Sequence, residues 1–140
     1  MISMELNFRL EINGEKLVIA IAQDYETNDI LMVAFMNKEA VEQSLKTKKA
    51  HYYSTSRGKQ WLKGESSGNV QTIKEVFIDC DADAIILKVD QKGAACHEGY
   101  RSCFFRQLDI NQEEIDIDNL TDNEVKVIAE RLFDPKEMYG

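Results

Sequence analysis

Basic residues are in short supply in this chain. Lysine and arginine total 17 against 25 acidic side chains, for a formal net charge of −8 over 140 residues. General nucleic-acid binding needs a basic footprint and is therefore disfavoured. No apolar run reaches the ~18 residues of a membrane span. The opening Met1-Ile2-Ser3-Met4-Glu5 lacks a basic stretch followed by an apolar one, so no signal peptide is expected. Cysteine occurs three times, which cannot all pair within one chain, and a cytoplasmic location is expected. Repeats, low-complexity tracts and linkers are absent. The length suits one domain across residues 1–140, large enough to bury a core without disulfides.

What is present reads as more strand than helix. Residues 6–12 and 16–22 flank Asn13-Gly14, a pair suited to the positive φ angles of a tight hairpin turn. Residues 30–36 form a continuous apolar run, suited to a buried strand. Asn37 can cap a following helix whose narrow face is Ala40, Val41, Ser44 and Leu45. Residues 51–56, 61–63, 70–78, 84–89 and 103–108 read as further strands. Thr121 and Glu124 have capping-box spacing before Val125, Ile128, Ala129 and Leu132, which predicts a helix ending before Pro135. Together these predict an α+β fold with a strand-rich mixed or antiparallel sheet and an acidic, helical C-terminal extension over 109–140. Seven acids and no base lie in 109–124, as expected of a solvated surface.

Asp79-Cys80-Asp81-Ala82-Asp83 is the densest unusual segment. On a straight strand its carboxylates would share one side, with the outer pair about 13 Å apart. One cation with oxygens at about 2.1 Å cannot span that, so a shared cation requires the chain to bend there. An exposed acidic turn is the plainer alternative. A calcium loop is excluded by Ala84 and Asp90 at its sixth and twelfth positions, and by flanking strands rather than helices.

Cys80, Cys96 and Cys103 lack the spacing of a zinc knuckle, and cysteine is often simply a small buried apolar residue. Two features favour metal. Cys80 lies within the acidic cluster, and His97 directly follows Cys96. Three thiolates would leave one tetrahedral position open, as in catalytic zinc sites, whereas His97 as a fourth ligand would make the site structural. Residues 54–68 mix hydroxyls, glycines, Arg57, Lys59 and Lys63 around Trp61, the material of a phosphate cradle with a stacking face. Gly64-x-Ser66-x-Gly68 matches a hydrolase nucleophile elbow. The strand expected after it and the shortness of the chain exclude that fold.

Taken together, residues 30–40, 61–68, 79–83 and 93–106 resemble the phosphoribosyl-AMP cyclohydrolase family, over about 25–108. The resemblance implies hydrolytic opening of the N1–C6 bond of 1-(5-phosphoribosyl)-AMP in histidine biosynthesis. It implies zinc on Cys80, Cys96 and Cys103, shared across an interlocked homodimer with barrel-like sheets. It also implies magnesium on Asp79, Asp81 and Asp83. Thr55 departs from relatives that carry arginine there, and the pyrophosphohydrolase domain fused to some relatives is not expected. Zinc would activate water against C6, as in zinc deaminases, whose own signature is missing here. Proton transfer calls for a side chain of the histidine type, of which the chain has His51 and His97, and His97, beside Cys96, is the expected acid–base catalyst. Arg57, Trp61, Lys63 and Arg106 are the expected substrate contacts. The rival reading is a non-catalytic, zinc-stabilised nucleotide-binding module with the coordination shell closed by His97.

Overall fold

The computed structural model describes residues 3–138. Nine strands and two short helices follow in the order β1 Leu10–Ile12, β2 Glu15–Asp24, β3 Ile30–Met36, α1 Lys38–Thr47, β4 His51–Ser54, β5 Lys59–Leu62, β6 Gln71–Ile78, β7 Ala84–Gln91, β8 Arg106–Leu108, β9 Val125–Val127 and α2 Pro135–Met138. The expected α+β class with a mixed, strand-rich sheet is what forms.

Seven strands make one curled sheet in the order β5-β4-β3-β2-β7-β6, with β1 on β2. All its pairings are antiparallel except β2 with β7, which run parallel. Asn13 and Gly14, at φ 52° and 83°, turn β1 into β2 as their residue types require. The curl brings β6 round to the chain ahead of β4. There the Ala50 amide donates to the Gln71 carbonyl at 3.0 Å and the Ile73 amide to the Lys48 carbonyl at 2.8 Å.

Apolar side chains from the central strands, including Val18, Ala20, Leu31, Met36, Leu87 and Val89, fill the concave side and are almost wholly buried. α1 covers one end. Asn37 caps it by accepting the Ala40 amide at 2.9 Å, and Lys48 ends it in the left-handed conformation. Its buried face is Ala40, Val41 and Ser44, while Leu45, expected on that face, is exposed. No helix among the described residues is long and apolar enough to cross a membrane.

The C-terminal extension corrects the sequence reading. Thr121 and Glu124 make their capping contacts, the Thr121 amide and hydroxyl both donating to Glu124 Oε2. Only one turn results, and the chain then enters β9, which pairs with β8 as a separate two-stranded sheet. The reason is twofold. β-branched Val125 and Val127 favour extended backbone, and β8 offers them a ladder. No apolar surface takes up the other face of the would-be helix, since Ile128 and Leu132 stay exposed. Pro135 opens α2 rather than stopping a helix. Its missing amide suits a first helical position, and Asp134 accepts the Lys136 amide at 2.9 Å.

Candidate metal and substrate site

Between β3, β4, β5 and the loops after β5 and β7 lies an open cleft of about 630 Å³. Arg57, Trp61, Lys63, His97 and Cys103 all line it, together with Ser54, Ser56 and the 64–67 loop. Five of the residues singled out from the sequence therefore converge, although up to 46 positions separate them. The register explains part of this. Tyr52 pairs with Trp61 and Ser54 with Lys59 across the β4–β5 hairpin, whose turn carries Arg57. Trp61 tilts against buried Tyr52, with ring centroids 5.2 Å apart.

Lys63 follows β5 and is buried. Its ammonium donates to the Ala95 carbonyl at 2.5 Å and lies 5.6 Å from the Trp61 ring. Burial pushes this ammonium below its ordinary pKa, while the Cys103 and Cys96 sulfurs act in the opposite sense. The same charge acts back on Cys103, opposing burial and favouring the ionised thiol, the form that binds metal. Nothing in residues 59–68 read singly marks Lys63 as buried. Its partner is the carbonyl of Ala95, 32 positions on.

Cys96 and Cys103 sit on one loop. It is pinned as a short hairpin by the Ala95 amide on the Arg101 carbonyl and the Cys96 amide on the Tyr100 carbonyl, at 2.9 and 3.1 Å. The Cys103 amide reaches the Leu31 carbonyl at 2.7 Å, which ties the loop to β3. Cys96 is buried, whereas Cys103 is exposed as a residue, and the two thiols are near enough for Cys96 to influence the Cys103 thiol. Burial pushes the Cys103 thiol up to about 12, with Cys96 adding and Lys63 opposing. Two neighbouring thiols near a lysine suit a divalent thiophilic cation, which would remove their protons.

Cys80 is elsewhere. It is exposed in the turn between β6 and β7, at the opposite end of β7 from the Cys96 loop. Eight residues of strand span roughly 23 Å. Among the described residues only the aspartates place three ligand atoms within reach of one another, so the three sulfurs do not meet within this chain.

Asp79, Asp81 and Asp83 do meet. One ligand oxygen from each lies within 4.8 Å of the others. The bend required for this is present. Ala82 takes the left-handed conformation at φ 61°, and Asp79 Oδ1 accepts the amides of Asp83 and Ala84 at 3.1 and 3.2 Å. The Asp81 carboxyl is raised, first by sharing a hydrogen bond with Asp83, then by desolvation and the neighbouring charges. Asp83 is lowered by that same bond and by its ion pair with Arg9. Oxygens held at about 2.1 Å from one magnesium ion stand ~3.0 Å apart when adjacent and ~4.2 Å when opposed, so the trio would draw closer together to hold such an ion.

Two candidates lie away from the cleft. Arg106 is on β8 with its guanidinium 4.7 Å from the Phe105 ring centre and does not line the cleft. His51 is half-buried and tied to Ser44 and Lys49, its amide donating to Ser44 Oγ at 2.8 Å, which gives it a structural place. His97 is exposed at the cleft wall. Arg101, not singled out from the sequence, holds the cysteine loop to the sheet. It pairs with buried Asp24 at the end of β2 and donates to the Gly93 carbonyl at 3.1 Å.

Comparison with known proteins gives the family. Residues 32–105, more than half of the chain, match the family model described as phosphoribosyl-AMP cyclohydrolase. Curated proteins of that name are similar over nearly the full length. The one from Methanobrevibacter smithii is 56% identical over 136 residues, covering 97% of this chain and 100% of its own. That from Methanothermobacter thermautotrophicus is 55% identical over 139 residues, covering 99% and 94%. A bacterial relative from Alcanivorax borkumensis is 49% identical over 131 residues, covering 94% and 84%. On the family model and on full-length identity of this order, the chain belongs to the phosphoribosyl-AMP cyclohydrolase family.

Proposed function

We propose that the chain hydrolyses the N1–C6 bond of 1-(5-phosphoribosyl)-AMP, opening its adenine ring in histidine biosynthesis. The observation that carries this reading is the cleft. It sets an aromatic face, Trp61, a guanidinium, Arg57, and an imidazole, His97, around the Cys103 thiol, with Cys96 on the same short loop.

Ribosylation at N1 withdraws electrons from the ring and makes C6 the electrophile. Trp61 would stack on the base, while Arg57 and the hydroxyls of Ser54 and Ser56 would take phosphate oxygens. His97 would accept the proton of the attacking water and return it to N1 as the N1–C6 bond breaks. The products are a formamidine and a carboxamide. Cys96 and Cys103 would hold zinc with Cys80 of a second copy, completing three thiolates with one open position. Zinc, when bound, supplies Lewis acidity and a lowered pKa for water, toward ~7. Asp79, Asp81 and Asp83 would hold magnesium.

Homodimer assembly follows from the same reading. Val76, Phe77 and Ile78, on the edge strand next to Cys80, are all substantially exposed, an apolar run that calls for a cover. A cytoplasmic setting would keep the thiols reduced. The non-catalytic zinc module is not favoured, because His97 lines an open cleft rather than closing a buried shell.

Incubation of the purified protein with phosphoribosyl-AMP should change its ultraviolet absorbance as the ring opens. A zinc chelator should abolish that change while the protein stays largely folded. Absence of turnover in zinc-loaded protein would refute the activity, and global unfolding on chelation would favour a structural metal.

A further inference from the structure

The cysteine loop is held from the sheet side by Lys63, Arg101 and Ser102. Its outer side is covered by chain from beyond the family-matched stretch. Residues 128–133 run along it. The Ile128 amide donates to the Phe105 carbonyl at 2.9 Å and the Leu132 amide to the Gly99 carbonyl at 2.7 Å. Arg131 Nε donates to the Glu98 carbonyl at 2.9 Å, and its guanidinium lies 5.3 Å from the Tyr100 ring centre. Tyr100 stacks on Phe105 with ring centroids 3.7 Å apart and planes 7° from parallel.

The fit is close. A Cβ on Gly99 would stand 2.3 Å from the Phe133 carbonyl oxygen, so the loop admits only glycine beneath the strap. Three of these contacts fall between Cys96 and Cys103, on the carbonyls of residues 98 and 99 and on the Tyr100 ring, and the fourth is on the Phe105 carbonyl just past Cys103. Ile128 and Leu132 themselves stay exposed, so burial of their side chains does not explain why the segment lies here.

We infer that Arg131 is a positioning residue for the metal-binding loop, and that residues 128–133 are a strap fixing the spacing of Cys96 and Cys103. The inference rests on the zinc reading given above. A short loop bearing two ligands on either side of Gly99 has to be stiff for its sulfurs to be set before the metal arrives. Outer partners that orient ligands in this way commonly contribute 10–100-fold to metal affinity. Arg131 supplies a directional hydrogen bond and a planar cover for Tyr100, neither of which lysine reproduces.

Two variants test this from the strap side alone. Arg131→Ala removes the guanidinium, and Leu132→Pro removes the amide donor to Gly99. In metal-free protein, amide hydrogen exchange at Cys96 and Gly99 should accelerate in both variants while the melting temperature changes little. In zinc-loaded protein, release to a chromophoric chelator should be about tenfold faster. kcat should fall with KM for phosphoribosyl-AMP nearly unchanged, and Arg131→Lys should not rescue. Loop exchange and zinc release equal to the parent protein in both variants would overturn the strap. A parent protein that takes up no zinc would instead overturn the metal reading and leave the exchange measurements to judge the strap.

Discussion

Tyr52, Gln71 and Gln91 place three polar side chains in the interior, each with a partner. Tyr52 Oη donates to Gln71 Oε1 at 2.6 Å, and Gln71 Nε2 donates to Gln91 Oε1 at 2.8 Å. Gln91 in turn donates to the carbonyls of Asn69 and Lys92. This chain of bonds links β4, β6 and β7 inside the curl, and burial pushes the Tyr52 hydroxyl up, so it stays a donor. Tyr52→Phe leaves the Gln71 oxygen buried without its donor. The expected loss is about 1–3 kcal/mol of unfolding free energy, read by denaturant titration. Asp24 is the acid-sensitive counterpart. Burial pushes its carboxyl up, but the Thr27 and Glu26 amides and the Arg101 guanidinium outweigh this and hold it below the usual range. A depressed carboxyl contributes stability above its unfolded pKa of about 3.9, and that contribution is lost as pH falls through the folded value. Asp24→Asn should therefore flatten the fall in stability below about pH 4, and an unchanged acid limb would refute the assignment.

At the scale of elements, Asn37 joins more than it caps. Besides the Ala40 amide, its Oδ1 accepts from Gln60 Nε2 on β5, and its Nδ2 donates to Glu15 on β2. Asn37→Ala should cost about 1–2 kcal/mol, near the upper end for a cap, and disturb the β4–β5 hairpin that carries Arg57. Thermal unfolding checks the first effect and the KM for phosphoribosyl-AMP the second. The Thr121–Glu124 motif shows the reverse case. Its local hydrogen bonds form as the spacing dictates, yet they fix one turn only, because extending a helix needs a surface to pack against. The aspartate turn lies between these cases. The rise of a straight strand would hold its carboxylates apart, and a single residue, Ala82, in the left-handed conformation folds them together.

For the whole molecule, the separation of Cys80 from Cys96 and Cys103 decides what assembly the chemistry needs. Under the proposed reading, a protomer supplies two ligands to one site and one ligand to another. Cys80→Ser and Cys96→Ser should each be inactive alone. When the two are unfolded, mixed and refolded together, half the dimers are mixed and each carries one intact site, so roughly a quarter of full activity should return. No recovery would mean that one protomer provides all three ligands.

Residue identity named the candidates for this site. Three cysteines, three alternating aspartates, one tryptophan and the basic loop around it were visible as unusual types in unusual places, and periodicity placed most of the sheet. Register and curl were beyond it. Nothing local states that β2 runs parallel to β7, that Lys63 is buried against Ala95, that Arg106 lies off the cleft, or that Val125–Val127 prefers a strand partner to a helical turn. Those outcomes depend on which surfaces become available once the central strands have packed. Side-chain chemistry is a property of each residue, whereas proximity is a property of the folded chain, and only tertiary structure brings Cys103, His97, Lys63 and Trp61 to one cleft while sending Cys80 to the far end of β7.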